Sequence, residues 1–132
     1  SVRADGRDFT RYHVIVNGVE LPDENKRNAI RVMVEQLVER GVSPDQIKSV
    51  MHARALPVVP GLVTDRDELT TLLTEHYPHA DPHRHWLDRP ILDRETNQTY
   101  ILFKMWGRNT EFTLQALADA FPESGVTFRA AD

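Results

Sequence analysis

Four histidines, His76, His79, His83 and His85, fall close together in the chain with Asp81 among them. Neutral imidazole is a common ligand for zinc and similar ions, so His79, His83 and His85 are the metal candidates the sequence offers. Pro78 and Pro82 place them in a loop, without the helical or strand period that would aim several rings at one ion. No second group of ligands stands ready to complete a structural site. The segment therefore reads as a solvated His-rich loop, and no metal or other cofactor is expected.

A second concentration of chemistry lies just beyond it. Trp86, Tyr100, Phe103 and Trp106 are interleaved with Arg84, Arg89, Arg94, Lys104 and Arg108. Aromatic rings among guanidiniums suit base stacking with phosphate contact, and they equally suit a core strand whose outer face carries solvated charge. Strand alternation puts Tyr100, Leu102 and Lys104 on one face and Ile101, Phe103 and Met105 on the other. The candidates for contact with DNA or a partner protein are then Tyr100, Lys104, Trp106 and Arg108.

Catalytic machinery is not legible. The carboxylate pairs Asp65/Asp67 and Asp88/Asp93 lie in caps and turns, where Asp is common for structural reasons. Ser43, Ser49 and Ser124 have no nucleophile-elbow context, and neither a GxGxxG nor a GxxxxGK[ST] phosphate loop occurs.

The elements that must position these residues follow from periodicity. Residues 1–8 are polar and read as a flexible lead. From Phe9, the run through Tyr12, Val14 and Val16 reads as a strand. Asn17-Gly18 is a hairpin signal, and Val19-Glu20-Leu21 returns before Pro22. Asp23 is the expected N-cap, with Glu24 behind it, of a helix of about 17 residues through Ala29, Ile30, Met33, Val34, Leu37 and Val38, stopped at Gly41. Ser43-Pro44 opens a shorter helix with Ile47, Val50 and Met51 on its apolar face. The turn between the two helices invites a helix-turn-helix reading, but Asp45 at the entry of the second would repel phosphate, so a plain helix pair is preferred. Pro57-Val58-Val59-Pro60 permits an edge strand. Thr64 or Asp65 caps a third helix carrying Leu69, Leu72 and Leu73. A hairpin is expected from Trp86–Leu92 and Thr99–Met105 around a turn at 93–97. A last helix from Thr110 carries Phe112, Leu114, Leu117, Ala118 and Phe121 on its core face, before a closing strand at 126–128.

The 132 residues suit one domain with one core, and 40% hydrophobic with 27% charged residues is an ordinary globular balance. Net charge is −4, with ten basic and thirteen acidic side chains in residues 1–81 and six and seven in residues 82–132, so neither half is a basic arm. Any nucleic-acid contact must come from a local patch. No apolar run approaches the roughly 20 residues that cross a bilayer, so no membrane contact is expected. The absence of Cys fits a reducing compartment and a cytoplasmic location. A chain that opens on Ser1 reads as a piece of a longer polypeptide. The fold expected is α+β: a small, mostly antiparallel sheet with four helices packed mainly on one face, a single domain over 9–132.

The stretch His85-Trp86-Leu87-Asp88-Arg89-Pro90-Ile91-Leu92-Asp93, then Thr99-Tyr100-Ile101-Leu102, then Trp106-Gly107 followed by a helix and a short strand, resembles the RAMA (restriction-enzyme and adenine-methylation associated) domain. The resemblance covers about 45 residues, Arg84 to Arg129, so the domain would divide into a hairpin and helical part (9–77) and a RAMA-like part (84–132). It implies a bacterial, restriction-modification-associated module that recognises DNA, including modified DNA, beside a fused effector. The family's Trp-Gly step maps onto Trp106 and Gly107 and its strand proline onto Pro90. Met105 stands where the family often has a polar residue, and Asn97 where it often has Gly in the turn. The expected function is thus a non-catalytic recognition or accessory module. The alternatives are a protein-interaction or oligomerisation domain using the edge near Val58-Val59, and a metal-dependent enzyme built on the His-rich loop.

Overall fold

A computed structural model describes residues 3–4, 7–8, 10–22 and 28–131. The Asp23 cap, Glu24 and the Phe9 strand start lie outside the described residues, as do residues 1, 2, 5 and 6 of the expected flexible lead, whose residues 3–4 and 7–8 pair as an antiparallel two-stranded sheet. In chain order the strands are β1 (Arg3–Ala4), β2 (Arg7–Asp8), β3 (Tyr12–Val16), β4 (Val19–Glu20), β5 (Val58–Pro60), β6 (Ile91–Asp93), β7 (Gln98–Tyr100) and β8 (Val126–Ala130). The helices are α1 (Ala29–Glu39), α2 (Pro44–Val50), α3 (Arg66–His76) and α4 (Thr110–Ala120). The chain is therefore α+β, as its periodicities predict. The helices and strands separate into two compact units, Ser1–Met51 with Trp106–Asp132, and His52–Met105. The boundaries fall at 51/52 and 105/106 rather than between 77 and 84. The RAMA-like stretch, Arg84 to Arg129, is shared between the units.

In the first unit β3 lies between β4 and β8, antiparallel to both. Asn17 and Gly18 adopt φ of 50° and 81°, the pair of positive values that matches a two-residue turn to the twist of its strands. The Asn17 N–H donates to the Gly125 carbonyl at 2.8 Å, tying this turn to the entry of β8. Gly125 has φ of 77°, and a Cβ there would meet Asn17 Oδ1 at 2.1 Å, so only glycine fits. Helix α1 packs on β3 and β8, and α4 on β8 and α1. Tyr12, Val14, Met33, Val34, Leu37, Leu114, Leu117 and Val126 are buried.

The described part of α1 spans 11 residues, and it ends as Gly41 predicts. The Gly41 N–H donates to Val38 and the Val42 N–H to Leu37, the paired bonds that close a helix through a left-handed glycine. Helix α2 begins with reciprocal bonds between Ser43 and Gln46, and with Pro44 at its first position. One expectation for α4 is corrected. Phe112 is 78% exposed. At 100° per residue it lies about 200° from Leu114, so Thr113, Leu114 and Leu117 carry the buried face instead.

In the second unit the strand order is β5-β7-β6, again antiparallel throughout. One small sheet was expected, and two three-stranded sheets are found, because pairing partners are set by tertiary contacts that strand periodicity does not encode. Val59, Val63, Leu69, Leu73, Leu87 and Ile101 form this unit's core. Asp65 caps α3, its Oδ2 accepting from the Glu68 N–H at 2.9 Å. The strand expected over Thr99–Met105 is regular only to Tyr100, but the chain beyond is bonded on both sides. Ile101 and Phe103 N–H groups donate to Pro57 and Ala55, the Lys104 N–H to Arg84, and the Leu102 carbonyl accepts from Trp86.

Candidate functional site

Those two-sided bonds draw three distant segments of the second unit together: 52–57, 76–85 and Phe103. Between them lies a cleft of about 470 Å³, within the range of small-molecule sites. Its lining is dominated by four imidazoles, from His52, His76, His79 and His85, and two guanidiniums, from Arg54 and Arg84. Pro57, Tyr77, Pro78 and Phe103 supply apolar wall, and Asp81 is the single carboxylate.

Each segment is fixed locally. The His52 Nδ1 accepts from the Arg54 N–H at 3.1 Å, which holds the loop that carries Arg54. Asp81 organises the 3-10 turn Pro82–Arg84. Its Oδ1 accepts from the His83 N–H at 2.9 Å, and its Oδ2 lies 3.5 Å from the Arg84 Nε. Both partners of that ion pair are exposed, so it holds Arg84 only loosely. The Asp81 carbonyl lies 2.7 Å from His85 Nδ1. A carbonyl can only accept, so Nδ1 carries the proton, and Nε2 of the neutral ring is left as an acceptor. His85 is 5% exposed. Burial holds its imidazole below the ordinary value, against the opposing pull of the bond to Asp81. The Phe103 ring meets His85 and His52 edge-on, with centroids 5.4 Å and 6.2 Å away.

The residues singled out by sequence are placed as follows. Tyr100 is 2% exposed, between Val58 and Ile91 in the sheet. The expectation that it faces a partner is corrected: both faces of this strand are covered, since Ile101 and Leu102 are buried with it. Trp106 is buried too, at 9%, so it supports structure rather than presenting a stacking face. The Lys104 ammonium lies 4.7 Å from the centre of the Trp86 ring, a cation–π contact. Arg108 is exposed in the 3-10 turn Gly107–Asn109. Tyr100 and Lys104 belong to one unit, Trp106 and Arg108 to the other. Of the metal candidates His79 and His85 line the cleft, and His83 does not. Among the described residues no group of three or more His, Asp or Glu side chains is arranged to hold a metal ion.

Sequence reasoning missed His52 and Arg54, because nothing in their local pattern ties them to a His-rich loop so far along the chain. The Phe103-to-Ala55 backbone bond makes that connection. The lining offers hydrogen bonding, stacking and anion pairing through its imidazoles, aromatic rings and guanidiniums. No protein-family model, curated protein or solved structure matches the chain.

Proposed function

We propose that this chain is a non-catalytic recognition module that binds nucleic acid through the His52–Met105 unit. The observation that carries the reading is the cleft itself: two guanidiniums against one carboxylate, beside four neutral hydrogen-bonding imidazoles, on a chain whose net charge is −4. A local positive site on an acidic molecule is the arrangement that concentrates phosphate contact in one place. Lys104 lies outside the cleft lining, with its ammonium over the Trp86 ring, and is taken as a third phosphate contact. The resemblance of Arg84 to Arg129 to the RAMA domain supports the same reading, and with it a role in bacterial DNA metabolism and a preference for modified DNA. Relative to the sequence expectation of Tyr100, Lys104, Trp106 and Arg108, the proposed contact surface keeps Lys104 and adds Arg54 and Arg84.

The test is a titration of the whole chain with short single-stranded and duplex DNA, with and without methylated adenine, at two salt concentrations. Saturable, salt-sensitive binding is expected, weakened about tenfold, or ~1.4 kcal/mol, by Arg54→Ala with Arg84→Ala. Absence of binding at low salt, or affinity indifferent to both substitutions, overturns the proposal.

The alternative of partner binding by strand addition gains no support from β5. With Pro57 and Gly61 bonded towards β7, the Val58 N–H and carbonyl face away from it, and the Tyr77 hydroxyl engages both, at 3.0 Å and 3.2 Å. Pro60 has no N–H to offer. This edge is closed to strand addition.

A further inference from the structure

Resting on the nucleic-acid reading of the cleft, we infer that the cleft takes one unstacked nucleotide, its phosphate on Arg54 and Arg84 and its base against Phe103 with an N–H donated to His85 Nε2. Three features of the lining meet three parts of such a ligand. The guanidiniums provide planar donor forks that match phosphate oxygens, and the loose 3.5 Å pairing of Arg84 with Asp81 leaves its fork able to exchange onto a ligand. Phe103 with Pro57, Tyr77 and Pro78 provides wall for a flat ring.

His85 supplies the third feature, a fixed acceptor. Its Nδ1–H is committed to the Asp81 carbonyl, so any hydrogen bond it makes to a ligand runs through Nε2, and that bond must be donated by the ligand. Burial favours the neutral ring that keeps this acceptor. Adenine and cytosine bring an amino group to such an atom on a flat ring that the Phe103 wall can hold; ribose 5-phosphate and inorganic phosphate have only hydroxyl donors and no such ring. A base stacked and paired in a duplex cannot enter a cleft of about 470 Å³ walled in this way. The ligand is therefore a free nucleoside monophosphate or an unpaired nucleotide of a strand.

The whole chain is titrated calorimetrically with adenosine and cytidine monophosphates, ribose 5-phosphate and inorganic phosphate, then with a short single strand and the same strand made abasic. The monophosphates are expected to bind at least about tenfold more tightly than ribose 5-phosphate. Arg54→Gln with Arg84→Gln should weaken both. His85→Asn keeps an amide N–H where Nδ1–H donates to Asp81 but has no atom at Nε2. It should bring nucleotide affinity down to that of ribose 5-phosphate and leave ribose 5-phosphate itself unchanged. Nucleotide affinity equal to that of ribose 5-phosphate in the unsubstituted chain, or indifferent to His85→Asn, overturns the inference.

The strands separate the two sources and the two proposals. Preference for the base-bearing strand over the abasic one supports an unpaired nucleotide of a strand. Mononucleotide binding without strand binding supports the free nucleotide and overturns the nucleic-acid reading. Equal binding of both strands without mononucleotide binding overturns the inference and keeps the nucleic-acid reading. Absence of all binding overturns both.

Discussion

Thr99 shows how much one hydroxyl can hold. It is fully buried in the central strand β7, its Oγ1 donating to the Gly61 carbonyl at 2.6 Å and accepting from the Val63 N–H at 3.0 Å. The loop leaving β5 is thereby bonded to the sheet. Thr99→Val keeps the shape and strands both backbone groups in a dry core, which should lower stability by about 2 kcal/mol in urea unfolding, whereas Thr99→Ser should cost roughly half as much. His85 adds a pH dependence. Its folded value is depressed by burial from the ordinary 6.5, so the unfolded chain binds a proton before the folded one does. Its contribution is complete above about pH 6.5 and is lost as pH falls through the interval below, with a slope of at most about 1.4 kcal/mol per pH unit. Unfolding midpoints measured from pH 8 to pH 5 should fall less steeply for His85→Asn than for the unsubstituted chain.

At the scale of elements, the exposed edge of the second sheet is finished by a side chain from the end of α3. Tyr77 follows the last residue of that helix, and its hydroxyl completes the outward hydrogen bonds of Val58. Tyr77→Phe keeps the ring among its apolar neighbours and removes only those bonds. It should cost about 1 kcal/mol and speed Val58 amide exchange roughly fivefold, read by hydrogen-exchange mass spectrometry or NMR. Unaltered exchange would show that the edge is closed by other means. The same aromatic lines the cleft, so one residue finishes the sheet and shapes the site. The sequence marked Val58-Val59 as an edge because of the flanking prolines, but Tyr77 lies 19 residues away and carries no local sign of its partner.

For the whole molecule, charge is the deciding quantity. A net charge of −4 leaves no long-range attraction for a polyanion, so the proposed binding rests on a few local cations. With Arg54, Arg84 and Lys104 as the phosphate contacts, the logarithm of the affinity for a single strand should fall with the logarithm of salt concentration with a slope of roughly −2. Titrations at several salt concentrations read it directly. A much steeper slope would mean a broader basic surface than these three side chains. Among the described residues no helix is long and apolar enough to cross a membrane. The second unit, His52–Met105, is continuous in sequence and interrupts the first between α2 and α4.

Local physics made several features legible in advance: the Asn17-Gly18 turn, the Ser43-Pro44 helix start, a cap at Thr64 or Asp65, the glycine stop after α1 and the buried stripe of α3. Each depends on residues within a few positions of one another, where backbone sterics and short hydrogen bonds act without the rest of the chain. The order of strands, the burial of Tyr100 and Trp106, the exposure of Phe112 and the meeting of His52 and Arg54 with His76, His79 and His85 required the tertiary structure. They turn on which segments lie beside one another, and periodicity reports only that a residue has two faces, not which of them another segment will cover.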